Sequence, residues 1–202
     1  MATSSNPLVI TRPYEHLLCG TMELRIRNRK TYYFTPVMEA YSRLIVSYTL
    51  DKDPSEKPVL ESLRYAEKYL GAPAPAHAHL NLQSTIHLTQ RGASKNQAYI
   101  DFVKNSQRLL MPEEGFKRNN RMTSFFSRYT GECFNYYYSE LTSFKALVAF
   151  TMDFCKYYNE ERIQAGLEWH TPKEYLHIAV KKLNEEYAQS QVKAQTQAKA
   201  QA

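Results

Sequence analysis

A chain of 202 residues, 43% hydrophobic and 23% charged, has the length and ordinary composition of a single globular domain able to bury a sizeable core. Its formal charge of +6 favours a polyanionic partner and fits a basic cytosolic protein equally well. The longest clean apolar stretch, ALVAF at 146–150, is far too short to span a membrane, and MATSSNPLVITRP lacks the pattern of a secretory signal. The expected location is therefore cytoplasmic, with no membrane partner. The odd, widely spaced cysteines Cys19, Cys133 and Cys155 argue against a disulfide frame or a zinc site and read as buried, reduced thiols.

A leader is expected over 1–16. In the next stretch, LLCGTMELRIR (17–27), Met22, Leu24 and Ile26 alternate with Thr21, Glu23 and Arg25, the period of a half-buried strand. TYYFTPVM (31–38) and RLIVSYTL (43–50) are aromatic and β-branched and predict two further strands. The short links between the three predict an antiparallel meander, with Leu24 or Ile26 and Val46 in the core. DPSEKPVLESLRYAEKYLG supplies a polar start, an early proline and a closing Gly71 around helically spaced leucines. APAPAHAH (72–79) reads as a linker whose histidines are solvated. LNLQSTIHLT predicts the fourth strand, with Ile86 buried, and a helix is expected over about 95–108. The rest is mainly helical. NNRMTSFFSRY opens on asparagines able to cap. In LTSFKALVAFTMDFCKYYNEER, one stripe is expected to comprise Leu141, Phe144, Leu147, Val148, Met152 and Cys155 or Tyr158. TPKEYLHIAVKKLNEEYAQ carries a capping box, with Thr171 as cap and Glu174 three residues on. Trp169 is expected to pack the turn before this last helix. Residues 189–202 are low-complexity Gln/Ala/Lys and are expected to fray or stay disordered.

The order β-β-β-α-β-α is that of the RNase H-like fold, an α/β architecture whose mixed sheet is flanked by helices, here spanning 17–188. Local phrases strengthen this reading. EAYSRLIVSY (39–48), IHLTQRGASKNQAY (86–99), MTSFF (122–126) and YNEERIQAGLEWHTPKEYL (158–176) occur in the same order as matching phrases of another family. The chain thereby resembles the integrase catalytic core of OrfB-type insertion-sequence transposases, over about 17–178.

The resemblance implies three carboxylates holding two divalent cations for phosphoryl transfer. This chain departs from it at each position. The first acid falls at Glu23, or at Met22 after a one-residue shift; the second falls at Gln90 and the third at Thr123. Mg²⁺ requires hard, anionic oxygens, and an amide and a hydroxyl are poor substitutes. Asp101 and Glu132 sit at the wrong helical offsets to replace them. The expectation is a catalytically degenerate core with no bound metal or cofactor, Mg²⁺ being required only if the enzyme is active but divergent.

Basic residues surround these positions. Arg91, Lys95, Lys117, Arg118, Arg121 and Arg128 are candidate phosphate contacts, and Arg25, Arg27, Arg29 and Lys30 crowd the first hairpin. The alternative for each is a solvated surface cation. Tyr136–Tyr138 could stack bases but read better as core and surface packing. His87 reads as a structural strand-end residue. No helix-turn-helix reader fits in the few residues before the first strand, so reading of transposon ends is expected to need a partner subunit, or self-assembly with another copy. Three functions remain open: a degenerate core that binds DNA without sequence preference or joins a transposition assembly, a protein-docking module without DNA binding, and a divergent active strand-transfer enzyme.

Overall fold

The computed structural model describes residues 8–71, 83–88, 96–111 and 120–200. Six strands form one mixed sheet, β1 (His16–Cys19), β2 (Met22–Arg25), β3 (Thr31–Glu39), β4 (Ile45–Asp51), β5 (Ser84–Leu88) and β6 (Leu109–Leu110). Five α-helices accompany them, α1 (Lys57–Gly71), α2 (Gln97–Asn105), α3 (Asn120–Arg128), α4 (Phe144–Glu160) and α5 (Pro172–Ala200). β1 and β2 lie end to end along one edge of β3, Leu18 opposite Met38 and Leu24 opposite Tyr32, and β4 pairs antiparallel with the other edge. β5 and β6 then add in parallel, Leu17 beside Ile86 and Ser84 beside Leu109.

The expected strand over 17–27 is thus one strand with an interruption. Gly20 donates to the Pro36 carbonyl at 3.4 Å. Proline has no N–H to return, so the ladder lapses there and resumes at Met22.

Alternation along β1 divides the core between two layers. Leu18, Leu24, Phe34 and Met38 face Met122 and Phe125 of α3 and Leu147 and Phe154 of α4. Leu17, Cys19, Val37 and Ile86 face Leu63 and Ala66 of α1, Tyr99 and Val103 of α2, and Leu176 and Val180 of α5. Both faces of β1 are therefore apolar, as a strand between two helical layers requires. Leu24, Ile26 and Ile86 are buried as expected, and Val46 packs partly buried against the second layer.

Several expectations are corrected. The buried stripe of α4 is Leu147, Thr151, Phe154, Cys155 and Tyr158, preceded by Leu141, whereas Phe144, Val148 and Met152 are exposed. The stripe rotates because Thr151 can be buried. Its hydroxyl donates to the Leu147 carbonyl at 2.8 Å and pairs with the Tyr129 hydroxyl at 2.8 Å. Trp169 does not pack the last turn; it is 71% exposed at a positive φ of 63°. α5 runs on to Ala200, through most of the residues of the expected tail, in a stretch rich in the strong helix formers Ala, Gln and Lys. α2 stops at Asn105, short of 108, and a two-residue strand follows that the sequence did not signal. The Pro/Ala linker at 72–79 lies outside the described residues.

Candidate functional site

β5 runs parallel to β1 and ends at Leu88 directly beside Cys19. Gln90, two residues beyond, lies outside the described residues, as do Arg91, Lys95, Lys117 and Arg118. The strand bearing the first candidate position is fully described. Met22 packs partly buried against the layer formed with α3 and α4. Glu23, next along the strand, points the other way. It lines a groove of about 430 Å³ with Asp53 and Glu56, beside Asn96 and Tyr99 of α2. In that groove Asp53 accepts the Ser55 N–H at 2.8 Å within its own turn, and Glu56 accepts the Asn96 amide at 2.6 Å, tying the approach to α1 to the start of α2, so two of the three carboxylates serve structural contacts.

Thr123 is exposed on α3, whose Met122 and Phe125 are buried against the sheet. Met22 therefore lies on the α3 side of the sheet and Glu23 on the opposite side, while the Thr123 side chain faces solvent. Placed at Glu23, the first position faces the groove beside α1 and α2; placed at Met22 by the one-residue shift, it stands on the α3 side of the sheet. Read so, the site offers a thioether and a hydroxyl where hard anionic ligands would stand, which does not fit a pair of divalent cations. Among the described residues no group of three or more His, Cys, Asp or Glu could hold a metal ion. Asp101 is exposed and accepts from Gln97 on its own helix at 2.6 Å.

The turn joining β3 to β4 is organised by Glu39, which is fully buried. Its Oε1 accepts the Tyr14 and Tyr41 N–H groups at 3.1 and 2.9 Å, and its Oε2 accepts the Ser42 N–H at 2.7 Å together with the Ser42 hydroxyl. Burial raises its pKa, and these donors pull in the opposite direction by favouring the ionised form. Arg43 follows at φ 65°, a left-handed conformation that is rare outside glycine and asparagine.

The C-terminal motif closes over α3 and the start of β4. Asn159 accepts the Ile45 N–H and donates to the Ile45 carbonyl, both at 2.9 Å, so its amide acts as one more strand residue. Arg162 clasps Glu132 through Nε at 2.8 Å and Nη2 at 2.7 Å, and Arg128 reaches the same carboxylate at 3.2 Å. Arg162 holds the Glu132 carboxyl below its ordinary range, and Glu132 in turn raises the guanidinium. Glu132 is thereby a partner for arginine rather than a metal ligand. Thr171 and Glu174 form the expected reciprocal cap, at 2.9 and 3.2 Å. His87 Nε2 meets His16 Nδ1 at 3.2 Å across the parallel pair, a structural placement.

Of the candidate phosphate contacts, Arg121 and Arg128 are described, and both line one pocket together with Arg43 and Arg162. Arg121 donates to the Ala40 carbonyl, and its pKa is lowered by burial and by the like charge of Arg43. Arg43 and Arg162 were not singled out from sequence, although both stand inside the quoted motifs. Arg25, Arg27, Arg29 and Lys30 are exposed on the first hairpin, and Tyr136, Tyr137 and Tyr138 are exposed as well.

The antiparallel-then-parallel sheet, packed between α1, α2 and α5 on one side and α3 and α4 on the other, is the RNase H-like fold of transposase and integrase catalytic domains. The catalytic domain of Mos1 mariner transposase superposes with a TM-score of 0.54 at 11% identity, covering 87% of this chain and 79% of that one. A chain of the simian T-cell lymphotropic virus intasome, in complex with PP2A regulatory subunit B56 gamma, gives 0.53 at 15% identity over 79% of this chain and 53% of its own. By sequence the chain is similar to two transposase proteins. It is 28% identical over 167 residues to a protein of Escherichia coli K12 named for transposase InsK of insertion sequence element IS150, covering 82% of this chain and 55% of that protein. A transposase-like protein of Haemophilus influenzae is 24% identical, over 82% of this chain and 72% of its own length. The chain thus spans about half the length of the Escherichia coli relative. No protein-family model matches it. No helix among the described residues is long and apolar enough to cross a membrane.

Proposed function

We propose that this transposase-related chain is a catalytically degenerate core that binds duplex DNA through phosphate contacts, without reading its sequence. Within a transposition or integration assembly, it would join a partner subunit bearing a helix-turn-helix, or another copy of itself. The observation that carries this reading is that Met22 packs in the α3 layer while Thr123 stands exposed on α3, neither of them an acid where the resemblance calls for two of the three. Gln90, two residues past Leu88 in the sequence, is a third neutral group at the positions the resemblance names. A surface that has lost its acids repels a DNA backbone less, and Arg121 and Arg128 stand on the same helix as Thr123. Arg91, Lys95, Lys117 and Arg118 extend the basic set in sequence.

Binding of generic duplexes is expected to fall steeply with salt. If about six phosphates are neutralised, affinity drops roughly a thousandfold between about 50 and 200 mM salt. Arg118→Glu combined with Arg128→Gln should weaken every duplex alike, because phosphate contacts carry no base information. Arg128 is the better choice on α3, since its side chain is 55% exposed while Arg121 is tied to Ala40. Mobility shifts of unrelated duplexes over a salt series check this. Failure to shift any duplex at low ionic strength would replace DNA binding by the docking-module function.

A further inference from the structure

A pocket is shared by α3, the turn after β3 and the short helical turn at Ala165–Leu167, and Thr123 is not among its lining residues. It is a cavity of about 420 Å³ whose lining includes Arg43, Arg121, Arg128, Arg162, Ser124 and Gln164, with no carboxylate among its lining residues. At about 100° per residue along α3, Ser124 and Arg128 share a face that Thr123 does not.

Two acids stand near it, and both are engaged. Glu39 takes three backbone N–H groups and the Ser42 hydroxyl, and Glu132 is clasped by Arg162 and Arg128. Four guanidiniums are thus set against two carboxylates. Arg43 is the least compensated. Its Nη1 donates to Gln164 Oε1 at 3.1 Å and its Nη2 to the Gly166 carbonyl at 3.5 Å, both neutral acceptors. Its Nε is buried without a hydrogen-bond partner. Gln164 is 7% exposed, and the Tyr158 hydroxyl stands within reach of its amide.

The backbone is shaped to keep the Arg43 side chain there. Arg43 holds φ at 65°, a conformation that costs an ordinary residue free energy and would be relieved by glycine. A Cβ on Gly166 would stand 2.6 Å from Arg43 Nη2, so a side chain at 166 would displace the guanidinium. A strained arginine with a buried unused donor, and a glycine that makes room for it, are expensive to maintain around empty solvent. Grouped guanidiniums are the usual receptor for a doubly charged tetrahedral oxyanion. The start of α3 at Asn120, also on the rim, adds the partial positive charge of a helix N-terminus.

We propose that this pocket seats one phosphate group, held by Arg43 and Arg128 with Ser124 and Gln164 as neutral donors. It rests on the DNA-binding reading only for the source of that phosphate, a backbone or terminal phosphate of duplex DNA rather than a free ion.

Calorimetric titration of the full chain with inorganic phosphate, against chloride at matched ionic strength, tests the seat. Saturable one-to-one binding in excess of chloride is expected. Ser124→Glu, at an exposed helix position, should weaken it at least about tenfold, as should Arg43→Gln, the loss expected for a charge-assisted contact. Absence of phosphate binding beyond chloride overturns the proposal. So does phosphate binding that both variants leave unchanged, because the site is then elsewhere; Ser124→Glu keeps that conclusion valid even if Arg43→Gln unfolds the turn. Duplex shifts with the same proteins identify the source. Displacement of a 5′-phosphorylated duplex by phosphate, lost in Ser124→Glu, supports DNA. Duplex binding indifferent to phosphate and to both variants overturns DNA as the source while leaving salt-dependent DNA binding standing. Phosphate binding without any duplex binding refutes the DNA-binding reading and leaves the seat in place as one for free phosphate.

Discussion

Glu39→Ala is expected to lower the unfolding free energy by roughly 3–5 kcal/mol, the effect of stranding several buried donors that had a charged acceptor. The carboxylate is the common acceptor of the Tyr14, Tyr41 and Ser42 N–H groups and of the Ser42 hydroxyl, in a turn with no exposure at position 39. Alanine leaves these groups without any protein acceptor. Glu39→Gln should be milder yet still destabilising, because its amide nitrogen must face donors. Urea unfolding of the three proteins at neutral pH measures the difference. A loss for Glu39→Ala below about 1 kcal/mol would show that the turn can rearrange, and with it the placement of Arg43.

Tyr129→Ala should cost a comparable amount, about 4–5 kcal/mol, through the cavity it leaves. Tyr129 is fully buried where α3 passes into a wider π-helical turn at Tyr129–Phe134. Its ring lies 5.0 Å from that of Phe34 on β3 and 4.9 Å, edge-on, from that of Phe154 on α4, joining sheet and both helices of the layer. The hydroxyl pairs with Thr151 at 2.8 Å, and burial raises its pKa well above the ordinary phenol range. Tyr129→Phe keeps the ring and should cost only about 1 kcal/mol. Denaturant midpoints for the pair separate packing from hydrogen bonding. Equal losses for both substitutions would mean that the hydroxyl, not the ring, holds the layer.

Elements with their own local signal were legible in the sequence. The alternation of Met22, Leu24 and Ile26, the aromatic run of β3 and the Thr171–Glu174 cap each depend on neighbours a few residues away, and the structure has them. What escaped depends on distant partners. The break at Gly20 arises from Pro36 on the facing strand. The buried position of Thr151 needs Tyr129, and the two-residue β6 exists because β5 offers an edge. The register of the first site position was ambiguous by one residue, and one residue in a strand reverses the face. Met22 packs in the α3 layer and Glu23 lines the opposite groove, so the two registers put the first position on opposite faces of the sheet. The arginine pocket joins Arg43 to Gln164, 121 residues apart, so charge counting along the chain could not assemble it. Arg121 and Arg128 were legible as cations, but not that one is anchored to Ala40 and the other shares Glu132.

The degeneracy of the acidic site is tested most directly by incubating supercoiled plasmid with the unaltered protein and either Mg²⁺ or Mn²⁺, with and without chelator, and scoring nicked and joined products. Two-metal phosphoryl transfer needs anionic ligands on both ions. Met22, Gln90 and Thr123 supply none, and Glu23 faces the other layer. The account predicts no chelator-sensitive nicking or joining with either metal. Robust, chelator-sensitive nicking by the unaltered protein would contradict it.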